Sequence, residues 1–152
     1  YKSVMIVGGG VSGLFTALKI AEEGYGDEVL ILEKEKESRK YSVMADILRI
    51  LSLTFGRLWL FEIVNEINAF RRTLGISEDV SYDECLSAAR ELAGKGIITF
   101  EEKIRGTFTS PKGVPDVLVG LKIRNIAPIL ASVDEKLRRY IEIRRKVFGS
   151  LR

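Results

Sequence analysis

Histidine is absent from the 152 residues, cysteine occurs once and proline three times. Without imidazole, no Ser-His-Asp or Cys-His nucleophilic centre can be assembled, and the zinc sites that depend on histidine are excluded with them. The single thiol, Cys85, permits neither an intramolecular disulfide nor a CxxC metal site, which is the usage of a reducing, cytoplasmic setting. Lying among Leu86, Ala88 and Ala89, it reads as a small buried hydrophobe rather than a redox sensor. Long apolar runs are missing as well. The longest apolar stretch, around residues 47–61, is broken by Arg49 and Arg57 and falls short of the roughly 20 clean residues of a membrane span. The expectation is a soluble protein without a membrane partner or a metal, whose chemistry must come from a cofactor or from Asp, Glu, Lys and Tyr.

What is present is ordinary globular material, 46% hydrophobic and 30% charged, enough for one medium domain or two small ones. The net charge of +3 is unevenly spread. Residues 1–40 carry 6 basic and 7 acidic side chains, residues 41–112 carry 9 and 10, and residues 113–152 carry 9 and 4, so the basic excess lies wholly in the last segment.

Val4-Met5-Ile6-Val7 is an apolar run suited to a buried parallel strand, and it leads directly into Gly8-Gly9-Gly10-Val11-Ser12-Gly13. This is G-x-G-x-x-G in the position where the pattern has a physical meaning. Gly8 permits a tight turn, Gly10 lets the backbone approach a pyrophosphate, and Gly13 lets the following helix pack on the strand; the helix N-terminus, with Ser12 in its first turn, attracts the phosphates. Leu14, Ala17, Leu18 and Ala21 continue at helical spacing, and Gly24 and Gly26 end the helix. A second strand, Val29-Leu30-Ile31-Leu32, ends at Glu33, about 20 residues past the last glycine, where an acid hydrogen-bonds a ribose hydroxyl. A carboxylate there repels a 2′-phosphate, which favours FAD or NAD over NADP. The fixed glycine spacing and the lack of a small-residue cleavage site argue against a secretory signal in the same stretch.

Residues 4–34 resemble the N-terminal βαβ unit of FAD-dependent oxidoreductases, down to the Glu33-Lys34 ending. The resemblance implies cofactor contacts from Gly8, Gly10, Ser12, Gly13 and Glu33. It covers about a fifth of the chain, and the further parallel strands, β-meander and late glycine–aspartate segment of such enzymes are not found after Lys36. The alternative is that these glycines turn a tight corner and bind nothing. The charged string Glu35 to Lys40 reads as a solvated linker.

From Tyr41 the pattern is helical. Met44, Ile47, Leu48, Leu51 and Phe55 share a face, with Gly56 as the stop. Leu58, Phe61, Ile63, Val64, Ile67 and Phe70 mark a second helix ending before Gly75, with Arg71 and Arg72 in its last turn and Trp59 as a core or interface aromatic. Ser81 and Glu84 form a capping box for a third helix, which runs through Ala93 to Gly94-Lys95-Gly96. Short strands are expected at Ile97–Phe100 and Gly106–Thr109 around a charged connection, Glu101 to Arg105.

Three helices followed by a β-hairpin resemble winged-helix transcriptional regulators of the general PadR or MarR kind. That likeness implies DNA binding, with Ser81, Tyr82, Ser87 and Arg90 on the recognition helix and Lys103, Arg105 and Lys112 on the wing. Asp83 and Glu84 at the helix start oppose phosphate contact unless they face away, and winged helices also serve as protein-interaction modules.

In the last segment, Pro115 and Pro128 bracket a stretch, residues 117–126, whose form the sequence leaves open. Ser132 and Glu135 read as a second capping box, opening a helix through Phe148 that Gly149 closes. Regulators of the winged-helix type often form homodimers through such a terminal helix. Its arginines also suit phosphates or acidic partners, or a solvated face of a helix packed on its own domain.

The expected fold class is therefore α+β: a winged helix-turn-helix of three helices plus a β-hairpin (41–112), an N-terminal βαβ dinucleotide-binding-like unit (1–37) and a C-terminal helical segment (113–152). The expected function is a cytoplasmic DNA-binding regulator whose N-terminal unit is either vestigial or nucleotide-responsive. An FAD- or NAD-binding oxidoreductase fragment or subunit is the alternative.

Overall fold

A computed structural model describes residues 4–7, 29–32, 39–54, 56–122 and 126–149. Among them the architecture is α+β. Two short strands, β1 (Val4–Val7) and β2 (Val29–Leu32), form a parallel pair in the register Val4↔Val29 to Val7↔Leu32. A separate unit follows in the order α1 (Arg39–Leu53), β3 (Arg57–Trp59), α2 (Leu60–Thr73), α3 (Tyr82–Gly94), β4 (Ile98–Arg105), β5 (Val114–Leu121), α4 (Ile126–Val133) and α5 (Glu135–Gly149).

The core of this unit is built around α1. Residues 43–51 of this helix are all buried, because α2, α3, α4 and β5 pack around it. Such all-round burial suits a run that is apolar except for Asp46 and Arg49, whose charges must then be paired inside the core. Ile63, Ile67 and Phe70 of α2 and Cys85, Ala88, Ala89 and Leu92 of α3 bring apolar stripes against it. Small residues on α3 allow close approach to α1.

Both helix ends facing the loops are capped as their sequences dictate. The Ser81 hydroxyl accepts the Glu84 amide at 3.2 Å, and Glu84 accepts the Ser81 amide at 3.0 Å. At the far end of α3, the Gly96 amide reaches Ala93 O and the Ile97 amide reaches Leu92 O, with Gly96 at φ 75°. Gly75, at φ 78°, ends α2 in the same Schellman arrangement.

The second sheet is antiparallel in the order β3-β5-β4. Val117 and Val119 of β5 point into the core at the two-residue spacing of a strand. Several expectations are corrected here. The second ribbon strand is Val114–Leu121, not Gly106–Thr109, which lies in the connecting loop; of the stretch 117–126 left open, residues 117–121 are strand. Residues Glu101 to Arg105 are no connection but the second half of β4, paired as far as Arg105↔Val114. Their charges are tolerated because β4 is the sheet's edge. Leu58 belongs to the unanticipated β3 rather than to a helix, since it pairs with Val119.

Two helix starts also differ. Arg39 and Lys40 are not linker but the first turn of α1, held to α3 and the loop before it by Arg39–Glu84 at 2.6 Å, Arg39–Glu78 at 2.9 Å and Lys40–Glu91 at 2.8 Å. Ser132 lies inside α4, and α5 opens after Asp134, whose carbonyl accepts the Arg138 amide. The Ser132–Glu135 box therefore does not form the boundary.

Candidate functional site

Parallel strands joined in sequence need a crossover of a dozen residues or more, and residues 8–28 supply that length between β1 and β2. The register brings the carboxyl ends of the strands side by side, Val7 opposite Leu32. Dinucleotide sites lie beyond the carboxyl ends of parallel strands, and the chain leaves β1 into Gly8 and β2 into Glu33. The candidate residues Gly8, Gly10, Ser12, Gly13 and Glu33 themselves lie outside the described residues.

The candidate nucleic-acid residues are all described, and the structure divides them. Three are engaged within the fold. The Ser81 hydroxyl is the α3 cap. The Tyr82 hydroxyl donates to Asp116 Oδ1 at 2.8 Å, and Arg105 Nε donates to Asp116 Oδ2 at 2.8 Å. Arg105 also lies over the Phe61 ring, 4.5 Å from its centroid. Ser87 and Arg90 are exposed on α3, Lys103 on β4 and Lys112 in the loop at the end of the ribbon.

Between α3 and the ribbon lies a groove of about 490 Å³ whose lining includes Tyr82, Arg90, Lys103 and Asp116. Its surroundings are electrically mixed. Lys103 faces Glu101 at 3.2 Å, Arg90 is 3.9 Å from Glu102, and Asp83 is exposed on the same helix. Burial, and then the hydrogen bond to Asp116, push the Tyr82 phenol up to about 12. The Arg39 hydrogen bond, supported by the Ser81 amide, holds the Glu84 carboxyl below its ordinary value. Burial raises the Cys85 thiol to about 12, so this fully buried sulfur is a packing group and not a thiolate nucleophile.

Sequence reasoning missed Asp116, the residue that ties the groove together; its only signal is an acid following Pro115 in an otherwise apolar strand. It also missed a buried ionic chain. Arg49, fully buried, donates from Nε to Asp134 Oδ2 at 2.7 Å, from Nη2 to Asp134 Oδ1 at 3.2 Å and from Nη1 to Asp46 Oδ1 at 2.7 Å. Asp46 Oδ2 in turn accepts from Arg71 Nε at 2.7 Å, so Arg71, in the last turn of α2 as expected, is also a core partner. Burial alone would lower the Arg49 pKa, but the Asp134 hydrogen bonds and the two carboxylate charges outweigh it and keep the guanidinium firmly protonated.

Among the described residues no cluster of three or more Cys, Asp or Glu side chains suits a metal ion, and no helix is long and apolar enough to cross a membrane. No match was found among curated proteins. The FAD binding domain family matches the chain over residues 3–46, under a third of its length, and the match contains the glycine motif, both strands of the parallel pair and the start of α1.

Proposed function

We propose that the chain is an FAD-binding polypeptide of the flavin-dependent oxidoreductase type, with residues 4–34 as its adenine-dinucleotide half-site. The observation that carries this reading is the family match over residues 3–46, in agreement with the parallel register of β1 and β2 on either side of the glycine motif. The backbone at Gly8, Gly10 and Gly13 would hold the pyrophosphate, Ser12 would add a hydroxyl donor, and Glu33 would accept from the ribose. FAD, when bound, supplies electron transfer; no residue of this chain is assigned a catalytic role. The test is the absorption spectrum of the purified protein, followed by titration with FAD and separately with NAD. Saturable quenching of flavin fluorescence that Gly10→Ala abolishes supports the reading. A protein that binds neither dinucleotide refutes it.

A second reading concerns residues 39–121. The order helix–strand–helix–helix–strand–strand, with the sheet arranged β3-β5-β4, supports a winged helix-turn-helix with α3 as recognition helix and residues 106–113 as the wing. On this reading the exposed Ser87, Arg90, Lys103 and Lys112 meet a duplex, Arg90 and Lys103 exchanging their Glu102 and Glu101 neighbours for phosphates, in a cytoplasmic regulator. A gel shift at low salt that Arg90→Ala and Lys112→Ala weaken, with affinity falling as salt rises, supports it. No shift with any duplex at low salt removes it.

A further inference from the structure

The basic excess of the last segment has a definite place in the fold. Lys136, Arg138, Arg139, Arg144, Arg145 and Lys146 are all exposed on α5, against only two acids on that helix, Glu135 and Glu142. Among the described residues none of the six forms an ion pair, although most other arginines of the unit do. The helix is anchored at its beginning by Leu137, which is fully buried, and by Tyr140, whose ring packs tilted against Phe70 with centroids 4.8 Å apart. From Arg144 to Gly149 every residue is exposed.

Where α5 leaves the core, it forms one wall of a groove of about 620 Å³ against the end of α1 and the middle of α2. The floor is apolar, Ile50, Leu53 and Ile141; the α5 side of the rim is Arg144, Arg145 and Phe148, whose two cations outnumber the single carboxylate, Glu66, on the α2 side. Leu53 and Phe148 are 37% and 56% exposed, so apolar area faces solvent on both sides. Cation–π contacts link the rim: the Arg144 guanidinium lies 4.9 Å from the Phe148 centroid and 5.9 Å from that of Tyr140.

We infer that this groove docks an acidic amphipathic helix of a partner protein, with its apolar side chains on the Ile50–Leu53–Ile141 floor and its carboxylates against Arg144 and Arg145. An apolar trough with cations on its rim matches the helix-in-groove mode, in which anchors recur at i, i+3 or i+4, and i+7. Charge selects the occupant. A second copy of α5 would bring the same six cations against the first set, at a cost in repulsion. A single-stranded nucleic acid would need open aromatic faces, and those of Phe148 and Tyr140 already carry Arg144. The inference is independent of flavin binding and concerns the other end of the chain.

The probe is a fluorescein-labelled synthetic peptide of about 16 residues, about four turns, with leucines at helical spacing and glutamates elsewhere. Fluorescence anisotropy with the full chain should show saturable binding that weakens as salt is raised. Arg144→Glu combined with Arg145→Glu should weaken it at least about tenfold, and Phe148→Ala should do so on its own. All three positions are exposed, so thermal melts of the variants should match the parent. Binding that is indifferent to these substitutions overturns the inference. So does equal binding of a polyglutamate of the same length, or of the analogue with lysine in place of glutamate. Sedimentation showing a parent dimer that Phe148→Asp converts to monomer assigns the groove to a second copy instead, and displacement of the peptide by single-stranded DNA at equal charge assigns it to nucleic acid.

Discussion

The Tyr82 hydroxyl and the Asp116 carboxylate stand 2.8 Å apart, joining the first turn of α3 to the inner strand of the ribbon. Asp116 Oδ1 also accepts its neighbour's Val117 amide at 2.8 Å, and Oδ2 accepts Arg105, so one buried acid fixes the angle between helix and ribbon. Tyr82→Phe removes a hydrogen bond to a charged acceptor and should lower stability by about 1.5–3 kcal/mol. Asp116→Ala should cost more, because it strands Tyr82 and Arg105 together. Urea unfolding followed by Trp59 fluorescence measures both. A Tyr82→Phe protein as stable as the parent would show that the contact contributes nothing.

The same pair predicts an alkaline effect. The folded protein holds the Tyr82 proton up to about pH 12, whereas an unfolded tyrosine loses it near pH 10. A raised folded-state pKa contributes stability that is complete below about pH 10 and is lost as pH rises toward about 12. Stability curves of the parent and of Tyr82→Phe should therefore converge across that window. Parallel curves would disprove the linkage.

At the start of α3, Ser81→Ala should cost about 1 kcal/mol through the lost cap. Glu84 behaves in the opposite sense to Tyr82. Its carboxyl is held below the ordinary value by Arg39 first, so its contribution is present above the unfolded-state pKa and fades as pH falls through the lowered one. Glu84→Gln should accordingly flatten the acid side of the stability profile. An unchanged acid limb in the variant counts against the Arg39 pairing.

How much of this was legible depends on distance along the chain. The Ser81–Glu84 box and the Gly96 cap could be read because their partners lie within a few residues, and the structure has both. The ribbon was misplaced because its stability comes from pairing: the apolar look of Phe108 suggested a strand, yet that side chain is fully exposed in the loop, while charged Glu101 to Arg105 are in β4 because β5 lies alongside. The three-residue β3 carries too little pattern to separate from the helix after it. Asp134 and Arg49 are 85 positions apart, and nothing local in either distinguishes a buried ion pair from two solvated charges. The parallel pair β1–β2 was legible from its two apolar runs, and the FAD binding domain match over residues 3–46 falls on the same stretch.

Two glycines of the second unit should respond oppositely to alanine. Gly113 has φ 72°, and an added Cβ would lie 2.7 Å from the Arg105 carbonyl oxygen and 2.6 Å from Ile104 Cγ2. Gly113→Ala should lower stability by more than about 1 kcal/mol. Gly94, the last residue of α3, has open space around it, and Gly94→Ala should raise stability by about 0.5–1 kcal/mol. Paired thermal melts test the contrast; a tolerated Gly113→Ala would mean that the ribbon turn can relax.

The buried ionic chain offers a sharper test. Asp134→Ala leaves the Arg49 guanidinium sealed in the core with only Asp46, and should cost about 3–5 kcal/mol. Arg49→Met combined with Asp134→Leu replaces both charges with apolar volume and should recover most of that loss. A double variant no more stable than Asp134→Ala would show that shape, not charge pairing, governs the site.

For a chain made on a ribosome, that arrangement imposes an order. Arg49 emerges 85 residues ahead of Asp134, so the central helix must wait, its guanidinium half-satisfied, until almost all of the second unit has been translated. A product that stops before Asp134 therefore leaves the Arg49 guanidinium with Asp46 but without its two-pronged partner, in the middle of the helix that the rest of the unit packs around.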